Sequence, residues 1–216
     1  PHTRSHEHTP SIMALVSSRG KIFYIADEGP IRSIRKPPRW RLVARDAFNG
    51  VLLWKRDIEV WFPHIWVWGA TPPQLQRRLV AAGDRLYVTL GLFAPVSELD
   101  AETGETIRVY DGTEGTDEIV YHKGVLLLAI RAVTKERVEA LKEWFRLEQE
   151  ENSPLYKRET LEPRMKEFQR IQNKAPLKVM AIDLRTGRTL WSRDEKWIQP
   201  LSLCADGDRV FYRAGG

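Results

Sequence analysis

Two short sequence signatures alternate along this chain, and the alternation limits the folds that it can adopt. The first is an Asp followed four residues later by Gly and, eight residues after the Asp, by a large side chain. Asp can bond its own backbone amides and Gly can adopt a positive φ, so each copy predicts a tight turn between two strands. The copies are Asp46, Gly50 and Trp54; Asp100, Gly104 and Arg108; and Asp183, Gly187 and Trp191.

The second signature is a Gly followed by apolar and aromatic residues typical of a strand. It begins at Gly20, Gly83, Gly124 and Gly207, and it alternates strictly with the first signature. The shortest spacings give a repeat unit of 41 residues, which matches the roughly 40–50 residues of a four-stranded propeller blade. The spacing therefore predicts an all-β fold, a segment of a β-propeller with about three and a half four-stranded blades.

Longer spacings place insertions near residues 28–39, 61–76 and 131–174. The third has apolar residues at helical spacing on two stretches, which predicts an inserted helical hairpin. The apolar stripes of the two helices are expected to pack on each other or on the propeller. The alternative is that they form a docking surface for a protein partner. The predicted domains are blades one, two and the start of three at 17–130, a helical insertion at 131–176, and the end of blade three with the start of blade four at 177–216. The two stripes are Val138, Leu141, Trp144 and Phe145, then Leu161, Met165, Phe168 and Ile171.

The stretch from Ala44 to Trp54, and more fully the stretch from Ala181 to Trp191, resembles the repeat of the PQQ-binding-like β-propeller family. That family includes quinoprotein dehydrogenases and BamB-like outer-membrane assembly lipoproteins. The resemblance covers residues 17–130 and 177–216. It implies an extracytoplasmic location, in the periplasm or cell envelope. Closed propellers of this family have about seven or eight blades, so we expect a segment of a longer protein whose remaining blades are its partners.

The resemblance gives no catalytic residue. Dehydrogenases of this family use a vicinal cysteine pair, a set of calcium ligands and an Asp base, whereas Cys204 is the sole cysteine here. No residue aligns with the ligand set or the base, and Arg108 replaces the repeat's aromatic residue. The first functional hypothesis is therefore a non-catalytic binding or scaffolding module without a cofactor. The alternative is a dehydrogenase of alcohols or sugars that uses PQQ and Ca²⁺.

Three histidines near the start form a candidate metal site. His2, His6 and His8 have a spacing at which imidazoles can bind Zn²⁺ or Cu²⁺. The alternative is a polar segment without a site, because a metal centre needs supporting residues around its ligands.

Three tryptophans in the second insertion are candidate ligand-stacking residues. Trp61, Trp66 and Trp68 could stack on a sugar or a planar cofactor, which adds a third hypothesis, a carbohydrate-binding propeller. The alternative is that the loop fills the contact between blades.

Two further predictions concern single polar positions. Cys204 is predicted to be buried in an apolar stretch. The adjacent carboxylates Asp117 and Glu118 are predicted to be solvated.

The charge distribution argues against a nucleic-acid partner. The formal net charge is +5, but residues 1–60 carry +5 and residues 61–130 carry −4. Nucleic-acid binders concentrate positive charge on one face. No run of about 18 apolar residues occurs, so no membrane span is predicted either.

Overall fold

The computed structural model describes residues 12–29, 38–61, 73–150 and 157–215. Its main elements are three four-stranded antiparallel sheets, each with its strands in chain order. The first sheet contains β1 (Ile12–Ser18), β2 (Lys21–Asp27), β3 (Trp40–Asp46) and β4 (Leu52–Asp57).

The second and third sheets repeat this arrangement, and a two-stranded sheet follows them. The chain is therefore a propeller segment of three complete blades and the first half of a fourth, as predicted. The strands are β5 (Leu79–Ala82), β6 (Arg85–Thr89), β7 (Val96–Asp100), β8 (Thr106–Tyr110), β9 (Thr116–His122), β10 (Val125–Arg131), β11 (Leu177–Asp183), β12 (Thr189–Glu195), β13 (Cys204–Asp206) and β14 (Arg209–Phe211).

The first strand of each sheet lies nearest the propeller axis. β1 and β9 both contact β5, whereas the fourth strands β4 and β12 are largely exposed. The apolar strands that follow the glycine signature are therefore second from the axis. Each glycine lies in the hairpin between the first and second strands.

The Asp of the first signature closes the turn between the third and fourth strands. Asp46 Oδ1 accepts hydrogen bonds from the amides of Phe48 at 2.9 Å and Asn49 at 3.0 Å. Asp100 and Asp183 each accept two amides in the same way. These bonds lower the pKa of all three carboxyl groups. A shift in strand register just before the Asp also recurs in all three sheets.

The two signatures alternate because they contact each other within a blade. The residue after each Asp donates its amide to the hairpin between the first two strands. Ala47 N reaches Gly20 O at 2.8 Å, Ala101 N reaches Asp84 O at 3.0 Å and Leu184 N reaches Gly124 O at 3.0 Å. Each blade therefore joins its two turns at the same end of the sheet.

Neighbouring blades are joined through the large side chain of the first signature. Trp54 Nε1 of the first blade donates to Ala101 O of the second at 3.2 Å. Its ring covers Gly104, where a Cβ atom would lie 2.8 Å from the indole. A glycine is thus needed at this turn for close approach as well as for its φ of +75°.

We expect Trp54→Phe to lower the free energy of unfolding by about 1 kcal/mol, the value of one hydrogen bond. The ring remains, but the carbonyl of Ala101 loses its donor. Urea unfolding monitored by circular dichroism would measure the loss. Trp191→Phe is the matched control, since that ring is 39% exposed and we expect a change below about 0.5 kcal/mol. Equal losses in both variants would contradict this role for Trp54.

The helical insertion joins the second and third strands of the third sheet. It contains α1 (Lys135–Gln149) and α2 (Arg158–Lys174), and Thr134 caps α1 by accepting the amide of Arg137. Leu141, Trp144 and Leu147 of α1 pack against Met165 and Phe168 of α2. The predicted hairpin is confirmed, and its apolar stripes face each other. No helix in the described ranges is long and apolar enough to cross a membrane.

Candidate binding surface

All long connections lie at one end of the sheets. In an antiparallel sheet with its strands in chain order, successive connections alternate between the two ends. The Asp and Gly turns therefore share one end, which we call the turn face. The opposite end, the insertion face, carries the described residues 28–29, 38–39, 58–61, 73–78, 90–95, 132–150 and 157–176. Contacts of Arg78 with Gly91 and of Arg137 with Phe93 join the 73–78, 90–95 and 132–150 segments into one surface.

A short 3₁₀ helix, Pro73–Arg78, lies over the inner strands β1, β5 and β9. Arg77 extends from it to the start of the fourth blade, where its Nη1 donates to Leu203 O at 2.9 Å. The same nitrogen lies 3.4 Å from Glu118 Oε2 in the third blade. This helix therefore connects several blades near the propeller axis.

Arg78 is a buried cation on the insertion face, 2% exposed. Its Nη2 donates to Gly91 O at 2.8 Å and to Leu92 O at 3.0 Å, and its guanidinium lies 5.0 Å from the centre of the Trp61 ring. Burial lowers the pKa of Arg78 to about 10, so the side chain remains a cation at neutral pH. Arg78 thus fixes the 90–95 connection to the 58–78 connection.

Trp61 belongs to the core and not to a ligand site. It is fully buried, its Nε1 donates to Thr89 O at 2.9 Å, and its ring lies against Trp40. The hypothesis that Trp61 stacks on a ligand is wrong, because the ring fills the contact between the first two blades. Trp66 and Trp68 lie outside the described residues, so ligand stacking by these two stays a prediction.

Glu118 is a buried acid near the same axis, 2% exposed. It accepts a hydrogen bond from the amide of Leu201 and pairs with Arg77. Burial raises the pKa of Glu118, while Leu201 and Arg77 act in the opposite direction. The expectation that Asp117 and Glu118 are both solvated is wrong for Glu118. The side chains of two adjacent residues in a strand point to opposite faces of the sheet. The side chain of Glu118 lies on the face covered by the 3₁₀ helix and the start of the fourth blade.

Because burial raises the pKa of Glu118, the contribution of this side chain to the free energy of unfolding should decrease as pH rises. The folded chain takes up a proton at a higher pH than the unfolded chain, so Glu118 favours folding less as pH rises from about 4.5 through its folded pKa. We expect wild-type stability relative to Glu118→Gln to decrease over that window. Urea unfolding of both chains at a series of pH values tests this. An increase in relative stability with pH would show that pairing with Arg77 outweighs burial.

The helical hairpin is fixed to the second blade as well as to its own. Leu92 and Phe93 of the β6–β7 connection pack against its apolar cluster, and the guanidinium of Arg137 lies 5.0 Å from the centre of the Phe93 ring. Arg137 also donates to Gln172 Oε1 and to the carbonyls of Arg131 and Ala132, each at 2.8 Å. These contacts fix the hairpin to both the second and the third blade.

A shallow groove of about 170 Å³ runs along the hairpin. Its floor is apolar, and ion pairs between Glu143 and Arg146 and between Glu167 and Arg170 lie beside it. The lining residues are Ala140, Glu143, Trp144, Leu147, Arg164, Glu167, Phe168 and Ile171.

The candidate metal site cannot be placed, because His2, His6 and His8 lie outside the described residues. Within the described ranges, no three His, Cys, Asp or Glu side chains converge as metal ligands would. These residues therefore offer no donor set for the calcium of a quinoprotein, and we derive no step through PQQ or Ca²⁺. Cys204 is exposed, so the prediction of a buried thiol is wrong; it lies on β13, a strand with few covering residues.

Comparisons with known proteins give low similarity. No protein-family profile and no curated protein matches this sequence. Among solved structures, a europium-containing methanol dehydrogenase is similar over 84% of this chain and 24% of its own, with 11% identity and a TM-score of 0.46. The quinohemoprotein alcohol dehydrogenase from Comamonas testosteroni is similar over 90% and 22%, with 13% identity and a TM-score of 0.44. The chain thus spans about a quarter of the length of these structures.

Proposed function

We propose that this chain is a non-catalytic β-propeller module that binds a protein partner through its insertion face. One observation carries the proposal: the helical hairpin is fixed to two blades by Arg137, Phe93 and a shared apolar cluster. A preorganised projection loses little conformational freedom when it binds. The groove along α1 and α2 gives this projection an apolar strip with charged borders, the composition of a protein contact surface.

Site-specific photo-crosslinking in the native host tests the proposal. A photoreactive residue at position 142 of α1, whose Lys side chain is 68% exposed, should crosslink to a discrete protein. The same residue at position 48, where Phe is 90% exposed on the turn face, is the control. Equal crosslinking from both positions, or none from position 142, would contradict the proposal.

Removal of the hairpin gives a second test. Arg131 and Leu177 are paired neighbours in the sheet, so an Asn-Gly turn can replace residues 132–176. We expect the shortened chain to retain its β-sheet circular dichroism and no longer to co-purify with the protein that crosslinking at position 142 identifies in the full chain. Retention of the partner by a folded shortened chain would place the binding surface elsewhere.

The dehydrogenase alternative is tested by calorimetric titration with PQQ, with and without Ca²⁺. Stoichiometric, calcium-dependent binding would overturn the non-catalytic proposal. We expect no heat of binding, since the described residues lack a converging set of ligands. An extracytoplasmic location and carbohydrate binding through Trp66 and Trp68 stay predictions.

A further inference from the structure

Two buried polar atoms at the insertion end of the second blade have no hydrogen-bond partner among the described residues. One is Nε of Arg78, which is 2% exposed, and the other is Oγ1 of Thr89, which is fully buried. Buried polar groups in folded proteins are nearly always hydrogen-bonded, because an unpaired group has lost its contact with water without a replacement. Two such atoms at one place therefore indicate a bound group.

The sheet register places these two residues beside each other. β5 and β6 are antiparallel, and their pair nearest the insertion face is Leu79 with Val88. Arg78 precedes Leu79 and Thr89 follows Val88, so the two residues are opposite each other one step beyond that pair. Opposite residues of an antiparallel pair project to the same face. On that face Tyr87, two residues before Thr89, packs against the apolar side chains of the third blade, so both atoms lie at the contact between the second and third blades.

Positive charge exceeds negative charge at this contact. The carboxylate of Asp117 acts electrostatically on both Arg78 and Arg137, and its Oδ2 lies 3.2 Å from Arg131 Nε. Three guanidinium groups therefore share one carboxylate. Arg78 and Arg137 are both buried. Burial lowers the pKa of each to about 10, so both remain cations at neutral pH.

The chemistry of these groups selects an anion. Nε of an arginine can only donate a hydrogen bond, and a threonine hydroxyl can donate as well, so the bound group must accept from both. The buried acid Glu118 already pairs with Arg77. We propose that Arg78 Nε and Thr89 Oγ1 bind a small monovalent anion, chloride, at the contact between the second and third blades. Two donors suit a monatomic ion, whereas sulfate and phosphate have four oxygens that need partners. A water molecule would leave the excess charge uncompensated.

Thermal unfolding of the full chain tests the site when chloride replaces gluconate stepwise at constant ionic strength. A ligand that binds only the folded chain raises Tm as its concentration increases. We expect Tm to rise with chloride, and bromide to act in the same way. Bromide also locates the site, since crystals grown with it should show an anomalous scattering peak in contact with Arg78 Nε and Thr89 Oγ1.

Matched variants separate this site from a general effect of salt. Thr89→Val keeps the shape of the side chain but removes one donor, so at least ten times more chloride should be needed for the same rise in Tm. In gluconate this variant should be at least as stable as the wild type, because it buries no unpaired hydroxyl. Asp117→Asn removes the shared carboxylate, so less chloride should be needed. Thr189→Val, on the exposed strand β12, is the control and should respond as the wild type does.

Three results would overturn the proposal: a wild-type Tm that does not change when chloride replaces gluconate, the same chloride dependence in Thr89→Val, or a bromide crystal without a peak at these two atoms. Each would mean that the two atoms bind no anion. The measurements need no protein partner, so these outcomes do not bear on the function proposed for the insertion face.

Discussion

Replacement of Arg78 by Ala is expected to lower the free energy of unfolding by about 3 kcal/mol. Arg78 is almost fully buried and donates to Gly91 O and Leu92 O. Its loss leaves both carbonyls without their charged donor and removes the cation from the Trp61 ring. The connections at 58–78 and 90–95 are then no longer fixed to each other, so the insertion face should loosen as well.

Urea unfolding of the purified chain measures this effect, and hydrogen exchange at residues 90–95 reports the local loosening. Arg78→Lys keeps the charge but cannot form the fork of two N–H groups, so we expect a smaller loss. Arg39→Ala is the surface control, because its ion pair with Asp57 is largely exposed and should contribute below about 1 kcal/mol. A loss below about 1 kcal/mol in Arg78→Ala would contradict the structural role assigned here.

Gly115→Ala is expected to cost about 3 kcal/mol or more, since backbone strain and a steric clash act together. Gly115 has a φ of +75°, and a Cβ atom there would lie 2.2 Å from the backbone oxygen of Arg131. Backbone cannot rotate away as a side chain can. Gly115 O also accepts the amide of Arg131 at 3.0 Å, so relief of the clash would break the bond at the point where the chain enters the helical insertion.

Gly112→Ala is the matched control for that substitution. Gly112 has the same φ of +75°, but no atom lies within 4 Å of its Cβ position. The control should therefore show the cost of the left-handed conformation alone, about 1 kcal/mol. Thermal and urea unfolding of the two variants give the difference, which isolates the clash. Equal losses would show that the β8–β9 connection shifts freely.

The blades could be predicted from the sequence because their turns depend on contacts within a few residues. Asp46 bonds the amides of Phe48 and Asn49, so the residues that form the turn also adjoin it in the sequence. The helical insertion can also be predicted from the sequence, since its apolar residues recur at the spacing of a helix. The four-stranded blade predicts a first strand in each repeat, but the sequence does not locate it, because no first strand carries a signature residue.

The candidate surface could not be predicted in the same way. Arg77 and Arg78 precede a strand without any motif, and Arg is usually exposed. The partners that bury them are distant in the sequence: Gly91 and Leu92 for Arg78, and Leu203 for Arg77. The sequence leaves both alternatives open for Trp61 for the same reason, because an aromatic residue in an insertion has no sequence mark that separates stacking on a ligand from packing in the core.

The repeat, its turns and the size of each insertion can be predicted from the sequence, because all three follow from local backbone chemistry and periodicity. Only the folded chain shows which charges are buried and that the insertions share one face. It also shows that Arg108 takes the position of a tryptophan, where its Nη1 donates to Leu184 O at 3.0 Å. Each of these depends on contacts between blades, in which a donor meets a carbonyl far along the chain.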